Sequence, residues 1–76
     1  MTKREFAQLI VDKELKSGIT HVTQSSSYAV AADFLGLLNP RDSTYAKSRG
    51  GVLVGGVING EYMVLTVRDV IEMLPE

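Results

Sequence analysis

The segment VLVGGVINGEYMVLTV, residues 52–67, decides the fold of this chain. Two runs of apolar and β-branched residues, 52–58 and 61–67, flank the dipeptide Asn59-Gly60. Asn-Gly is favoured at the centre of a type I′ turn, where both residues need a positive φ, and this turn matches the twist of an antiparallel strand pair. The segment therefore predicts a β-hairpin with strands 52–58 and 61–67.

A two-residue turn fixes the register of the hairpin and gives it two largely apolar faces. The first, called the Met63 face, consists of the pairs Val54 with Leu65, Gly56 with Met63 and Ile58 with Glu61. The second, called the Tyr62 face, consists of Leu53, Gly55, Val57, Tyr62, Val64 and Thr66. Antiparallel hairpins normally alternate apolar and polar residues. We therefore expect one face to pack on the helices and the other to be covered by the C-terminal helix, a subunit or a partner.

Three helices are predicted around the hairpin. Thr2 and Glu5 form a capping box that begins a helix over residues 3–17, and Gly18 provides a left-handed residue at its end. Residues 26–38 are apolar almost all round, which indicates a buried helix whose N-cap comes from Ser25 to Ser27 and which ends at Asn39-Pro40. A third helix, over 67–74, follows the hairpin and begins at a second capping pair, Thr66 and Asp69.

Two segments stay open at the sequence level. Residues 19–24 fit either a short strand or an extended connection. The polar segment 41–51 fits one or two helical turns capped by Asp42 or Ser43, or an irregular loop. The predicted fold class is α+β, with two or three N-terminal helices, the hairpin and a short C-terminal helix.

Composition limits the class of protein. The length of 76 residues predicts a single domain over 1–76, and the net charge of −1 counts against strong nucleic-acid binding, since phosphate neutralisation supplies much of that affinity. Without cysteine and with one histidine, His21, the chain is expected to hold no disulfide and no metal. No apolar run reaches the length of a membrane span and the N-terminus is charged, so we expect a cytoplasmic protein without membrane contact.

Groups suited to catalysis or cofactor binding are scarce. Asp12 and Glu14 fall on different sides of the first helix, and helix capping explains the serines that follow His21. The pair Gly55-Gly56 matches no nucleotide-binding motif and indicates instead a β-bulge or a close approach of another backbone or of a helix. We expect a non-catalytic protein that uses no cofactor.

One segment concentrates basic and hydroxyl-bearing side chains. Its candidate contacts to a nucleic acid or another anion are Arg41, Ser43, Tyr45, Lys47 and Arg49, with Asn59 of the hairpin turn added. Such side chains contact phosphates well. A solvated surface loop explains the same composition equally well.

The order of the elements resembles a known family of regulators. Residues 31–37, AADFLGL, look like the A-A-x-x-L-G-(V/L) signature of the first helix of a helix-turn-helix. Over residues 28–74 the chain is similar to the winged helix-turn-helix domains of excisionase and MerR-like proteins, small DNA-binding regulators common in phages and mobile elements. The resemblance implies that 43–49 is the recognition segment, that the hairpin is the wing and that 67–71 belongs to a closing helix.

Two functions follow from these features. The first is a regulator of the inhibitor or adaptor type that binds another protein, with Leu53, Val57, Tyr62 and Val64 at the interface and a homodimer as its simplest form. The alternative is a winged-helix transcriptional regulator that binds DNA through the basic segment, with an affinity that falls steeply with salt. The near-neutral charge and the apolar hairpin favour the first.

Overall fold

The computed structural model describes all of residues 1–76 and contains helices and one two-stranded antiparallel sheet. Along the chain the elements are α1 (Lys3–Lys16), a 3₁₀ turn (Val22–Gln24), α2 (Ser26–Phe34), α3 (Pro40–Lys47), β1 (Val52–Ile58), β2 (Glu61–Thr66) and α4 (Val67–Met73). The predicted α+β class is therefore confirmed, with helices before the hairpin and a short helix after it.

The predicted capping box begins α1. The hydroxyl of Thr2 accepts a hydrogen bond from the backbone N–H of Glu5 at 3.1 Å, and the backbone N–H of Thr2 donates to Glu5 Oε1 at 3.0 Å. The helix ends one residue earlier than predicted, and Gly18 follows with a positive φ as expected. Local chemistry alone therefore sets both ends of α1.

The same capping box makes the stability of the protein depend on the charge of Glu5. The backbone N–H of Thr2, followed by its hydroxyl, lowers the pKa of Glu5 from its ordinary value of 4.5. A lowered folded-state pKa gives a stabilisation that is present above the unfolded pKa and is lost as the pH falls through the folded value. We expect Glu5→Gln to unfold at lower urea than the wild type at neutral pH, with the difference vanishing in acid. Urea titrations at the two pH values measure this, and a difference that does not change with pH contradicts it.

α2 ends at Phe34, four residues before the predicted position. Gly36 has a φ of +72°, and the N–H groups of Gly36 and Leu37 donate to the carbonyls of Asp33 and Ala32, each at 3.0 Å. This is the pattern of a helix stopped by a left-handed glycine, which satisfies the last carbonyls of the helix. The prediction that Asn39-Pro40 stops α2 was therefore wrong.

Asn39 and Pro40 instead begin α3, which settles the open question of helix or loop over 41–51. The side chain of Asn39 accepts a hydrogen bond from Asp42 N at 2.8 Å, and Pro40 occupies the first helical turn. Proline is favoured there because its φ is already helical and because an N–H at this position would have no hydrogen-bond acceptor within the helix. The cap is thus Asn39, and neither Asp42 nor Ser43.

The sequence left residues 19–24 open between a short strand and an extended connection. In the structure, Val22–Gln24 forms a 3₁₀ turn instead. The side chain of Gln24 accepts hydrogen bonds from the backbone N–H groups of Thr20 and His21 at 2.8 and 3.1 Å. The turn places Val22 in the interior.

The hairpin has the predicted register over most of its length. Ile58 lies opposite Glu61, and φ values of +53° and +83° at Asn59 and Gly60 fit the type I′ turn. Near the base, Val52 pairs with Thr66, so Leu53 is the extra residue of a β-bulge. The strand pairing is regular at Gly55 and Gly56, where the sequence indicated a bulge as one of two possibilities. β2 ends at Thr66, one residue early, because Thr66 caps α4 by accepting from Asp69 N at 3.1 Å.

The core lies among the helices. Its main cluster comes from α1, α2 and α4 and consists of Ala7, Ile10, Val11, Val30, Ala31, Ala32, Val67 and Ile71. A smaller cluster joins the 3₁₀ turn, α2 and α3 through Val22, Ala29 and Ala46. Alanines at the contacts let the helices approach closely, and neither strand contributes a buried residue.

Candidate functional site

Both faces of the hairpin are exposed to solvent. On the Tyr62 face, Val57 and Tyr62 retain 70% and 71% of their accessible surface, and on the Met63 face Ile58 and Met63 retain 56% and 53%. The expectation that one face packs on the helices was therefore wrong. The helices close their small-residue core against one another, and the strands of the hairpin take no part in it.

The hairpin is held at its base. The carbonyl of Gly51 accepts from Val67 N at 2.7 Å, and the carbonyl of Gly50 accepts from Arg68 N at 3.2 Å. Gly51 is buried against α2, where an added Cβ would lie 2.8 Å from the Cα of Ser27. These contacts fix where the hairpin leaves the helical body, and the strands beyond them project outward.

The overall dimensions of the molecule reflect the projection of the hairpin from the helical body. The molecule measures 40 × 26 × 24 Å, and its radius of gyration of 12.6 Å exceeds the value of about 11.4 Å expected for a compact domain of this length. Its accessible surface is 5126 Å². A compact monomer of the same mass would expose roughly 4,600 Å², so about 500 Å² is in excess.

The Tyr62 face carries all four of the predicted protein contacts. Leu53, Val57, Tyr62 and Val64 are each exposed. The hydroxyl of Tyr62 lies where a Cβ on Gly55 would be, so the aromatic ring leans along the sheet across the glycine. The group that approaches Gly55 is thus a side chain, and neither the backbone nor the helix that the sequence indicated. The ring forms a ridge in the middle of this face.

Little in the hairpin opposes association with another protein. Glu61 is the only charged residue in either strand, and neither strand contains lysine or proline. Both strands are edge strands, because the sheet has only two. Natural proteins usually protect such edges with charges, proline or a covering element.

The basic residues of α3 are only partly gathered on one surface. Arg41, Thr44, Lys47 and Ser48 are exposed at helical spacing. The candidates predicted from the sequence include Ser43 but not Thr44 or Ser48. Ser43 faces α2 and donates its hydroxyl to Asp33 Oδ1 at 2.5 Å. Its position in the chain gave no sign of this partner.

Tyr45 and Arg49 form a pair beside this surface. The guanidinium carbon of Arg49 lies 4.6 Å from the centroid of the Tyr45 ring, within the range of a cation–π contact. Asn59 lies at the opposite end of the hairpin, since a seven-residue strand extends roughly 23 Å. The candidate anion contacts therefore do not form one continuous site.

Arg68 is a structurally important residue that is not among those predicted from the sequence. Its guanidinium donates to the carbonyls of Ala46 at 3.1 Å and of Arg49 at 2.5 Å, at the C-terminal end of α3. A cation is favourable there because the last carbonyls of a helix carry partial negative charge. Arg68 thus ties α3 to the base of the hairpin, and a single arginine two residues after a strand gave no signal of this role.

Other kinds of site have weaker support in the structure. No group of three or more His, Cys, Asp or Glu side chains is placed to hold a metal ion, and no helix is both long and apolar enough to cross a membrane. The largest cleft, of about 320 Å³, is open and lies between α2, α4 and the start of α1, with Lys3, Asp33 and Arg68 among its lining residues. In it Lys3 Nζ already donates to the carbonyl of Ile71 at 2.5 Å.

Comparison with known proteins yielded no relative: no family model, curated protein or solved structure matches this chain. The geometry of the hairpin and of α3 is therefore the basis for assigning a function.

Proposed function

We propose that this protein is a non-catalytic regulator of the inhibitor or adaptor type, which binds a partner protein through the Tyr62 face of its hairpin. The observation that carries the proposal is the exposure of Val57 and Tyr62, each about 70% accessible although both are apolar or aromatic. Contiguous exposed apolar surface beyond a few hundred Å² is uncommon on monomers and marks interaction sites.

The composition of the Tyr62 face supports a protein partner. Tyrosine is enriched at the centres of protein interfaces, and charged residues are depleted there. Tyr62 lies opposite Val57 near the tip, and its ring leans over Gly55 to the middle of the face, next to Val64. The one charged residue of the strands, Glu61, belongs to the Met63 face, so a partner can cover the Tyr62 face without burying an unpaired charge.

DNA binding is the second candidate, because α3 is a helix with Arg41 and Lys47 on its exposed side. In a winged-helix regulator this helix would enter the major groove and the hairpin would lie along the backbone. The hairpin offers no cation for that second contact. The net charge of −1 also provides little general attraction to phosphates.

Affinity capture with the full chain as bait separates the two candidates. We expect a protein from a lysate of the source cells to be retained after nuclease treatment, and Val57→Lys to reduce its recovery at least tenfold, since a buried lysine without a partner is costly. The double variant Lys47→Ala/Arg49→Ala is the matched control on α3 and should retain the protein.

Three outcomes contradict the protein-binding proposal. Recovery that disappears with nuclease, or with the α3 variant alone, favours DNA binding. Recovery no greater than that of an unrelated bait of similar size contradicts a protein partner.

A further inference from the structure

The Met63 face contains an open notch at Gly56. No atom lies within 4 Å of the position that a Cβ on Gly56 would occupy, although Met63 is directly opposite on β2. Val54 and Ile58 flank the notch on β1 and are both exposed. The Tyr62 face differs, because there the tyrosine ring fills the space above Gly55. The Met63 face therefore combines protruding apolar side chains with a recess between them.

We infer that the Met63 face binds the Met63 face of a second copy of this chain. In such a contact the same surface serves both copies about a two-fold axis. With an axis that crosses the strands at Gly56, the two notches face each other, and the adjacent Met63 side chains of both copies fill the space between them. The protruding Met63 side chain and the recess at Gly56 beside it make this face complementary to a second copy of itself, as the symmetry requires.

The surface area fits a small interface of this kind. One chain exposes 5126 Å², about 500 Å² more than a compact monomer of its mass. If each of two copies covers that excess, the dimer buries about 1,000 Å², which is near the lower limit for a specific interface. Interfaces at this lower limit are typically those of weak, transient complexes, so we expect association at micromolar or higher concentrations.

Charge does not oppose this arrangement. Glu61 is the only ionisable residue on the Met63 face, and it lies two residues nearer the tip than Gly56 in the strand register. When the axis crosses the strands at Gly56, the two copies run antiparallel and their Glu61 residues lie roughly 13 Å apart along the strands. That separation exceeds the screening length of about 8 Å at physiological salt.

Sedimentation velocity on the purified full chain tests the inference. Between about 1 μM and about 200 μM, which brackets the expected affinity, we expect the mass to rise from 8.3 kDa toward twice that value. Gly56→Lys should remain monomeric throughout, because two lysines would meet at the axis. The substitution has free space in its own chain, so the helical circular dichroism should be unchanged. Met63→Lys should weaken association in the same way.

Val57→Lys is the matched control, since it puts the same charge one residue further along β1 on the other face. It should associate as the wild type does. A wild type that stays monomeric overturns the inference, as does equal loss in Val57→Lys. Association that survives both Gly56→Lys and Met63→Lys also overturns it and indicates pairing through the free strand edges instead.

The same variants separate this inference from the proposed function. A monomeric wild type that still captures a protein through Val57 contradicts self-association alone. A dimer that captures no protein leaves self-association in place and contradicts the partner-binding function.

Discussion

Gly51→Ala should destabilise the protein by about 3 kcal/mol, because it combines a backbone penalty with a collision. Gly51 has a φ of +72°, which costs an L-residue about 1 kcal/mol or more. Its new Cβ would also lie 2.8 Å from the Cα of Ser27 and 3.1 Å from the carbonyl oxygen of Ser26. Both of those are backbone atoms of α2, so relief requires the base of the hairpin to move away from the helix.

Gly36→Ala is the matched control for this substitution. Gly36 has the same φ of +72°, and its Cβ would meet no atom within 4 Å. It should therefore cost only the backbone term, about 1 kcal/mol. Chemical unfolding of the two variants measures the difference, and equal losses would show that the hairpin base does not press on α2.

Val67→Ala should cost about 2.5 kcal/mol, through lost transfer energy and the cavity that remains. Val67 is the largest side chain that is fully buried, and from the start of α4 it packs into the core formed with α1 and α2. It is also the first residue after the hairpin, so its burial fixes the end of β2 to the core. For a domain of this size the loss is a large share of the total stability.

Val57→Ala provides the comparison at an exposed valine of the same segment. Its effect on the stability of the monomer should stay below about 0.5 kcal/mol, because 70% of Val57 is already exposed to solvent. Urea unfolding at low protein concentration measures both variants. A loss at Val57 as large as that at Val67 would mean that the hairpin packs on the helical body.

Local sequence signals predicted much of the fold. The turn at Asn59-Gly60 set the strand register, and the capping pairs Thr2 with Glu5 and Thr66 with Asp69 set the starts of α1 and α4. Two signals of the same kind competed after α2. Gly36 stopped that helix first, and Pro40 then acted as the start of α3.

The candidate binding site on the hairpin was harder to predict, because it depends on whether the helices of the same chain cover the hairpin faces. An apolar strand pattern indicates burial, but it does not say whether the covering surface belongs to the same chain. Alanines fill the contacts between the helices, and both hairpin faces stay exposed. The contacts of Arg68 with α3 and of Ser43 with Asp33 join residues across elements, so spacing along the chain gave no indication of them.

Hydrogen exchange of the backbone amides tests the central claim most directly, when the free chain is compared with its complex with the captured protein. In the dilute free chain, the amides of β1 and β2 should exchange faster than those of α1 and α2, since a two-stranded hairpin alone is marginally stable. In the complex, the amides of residues 52–66 should gain protection while those of α3 stay unchanged. Protection gained in α3 and absent from the hairpin would contradict a hairpin that binds protein.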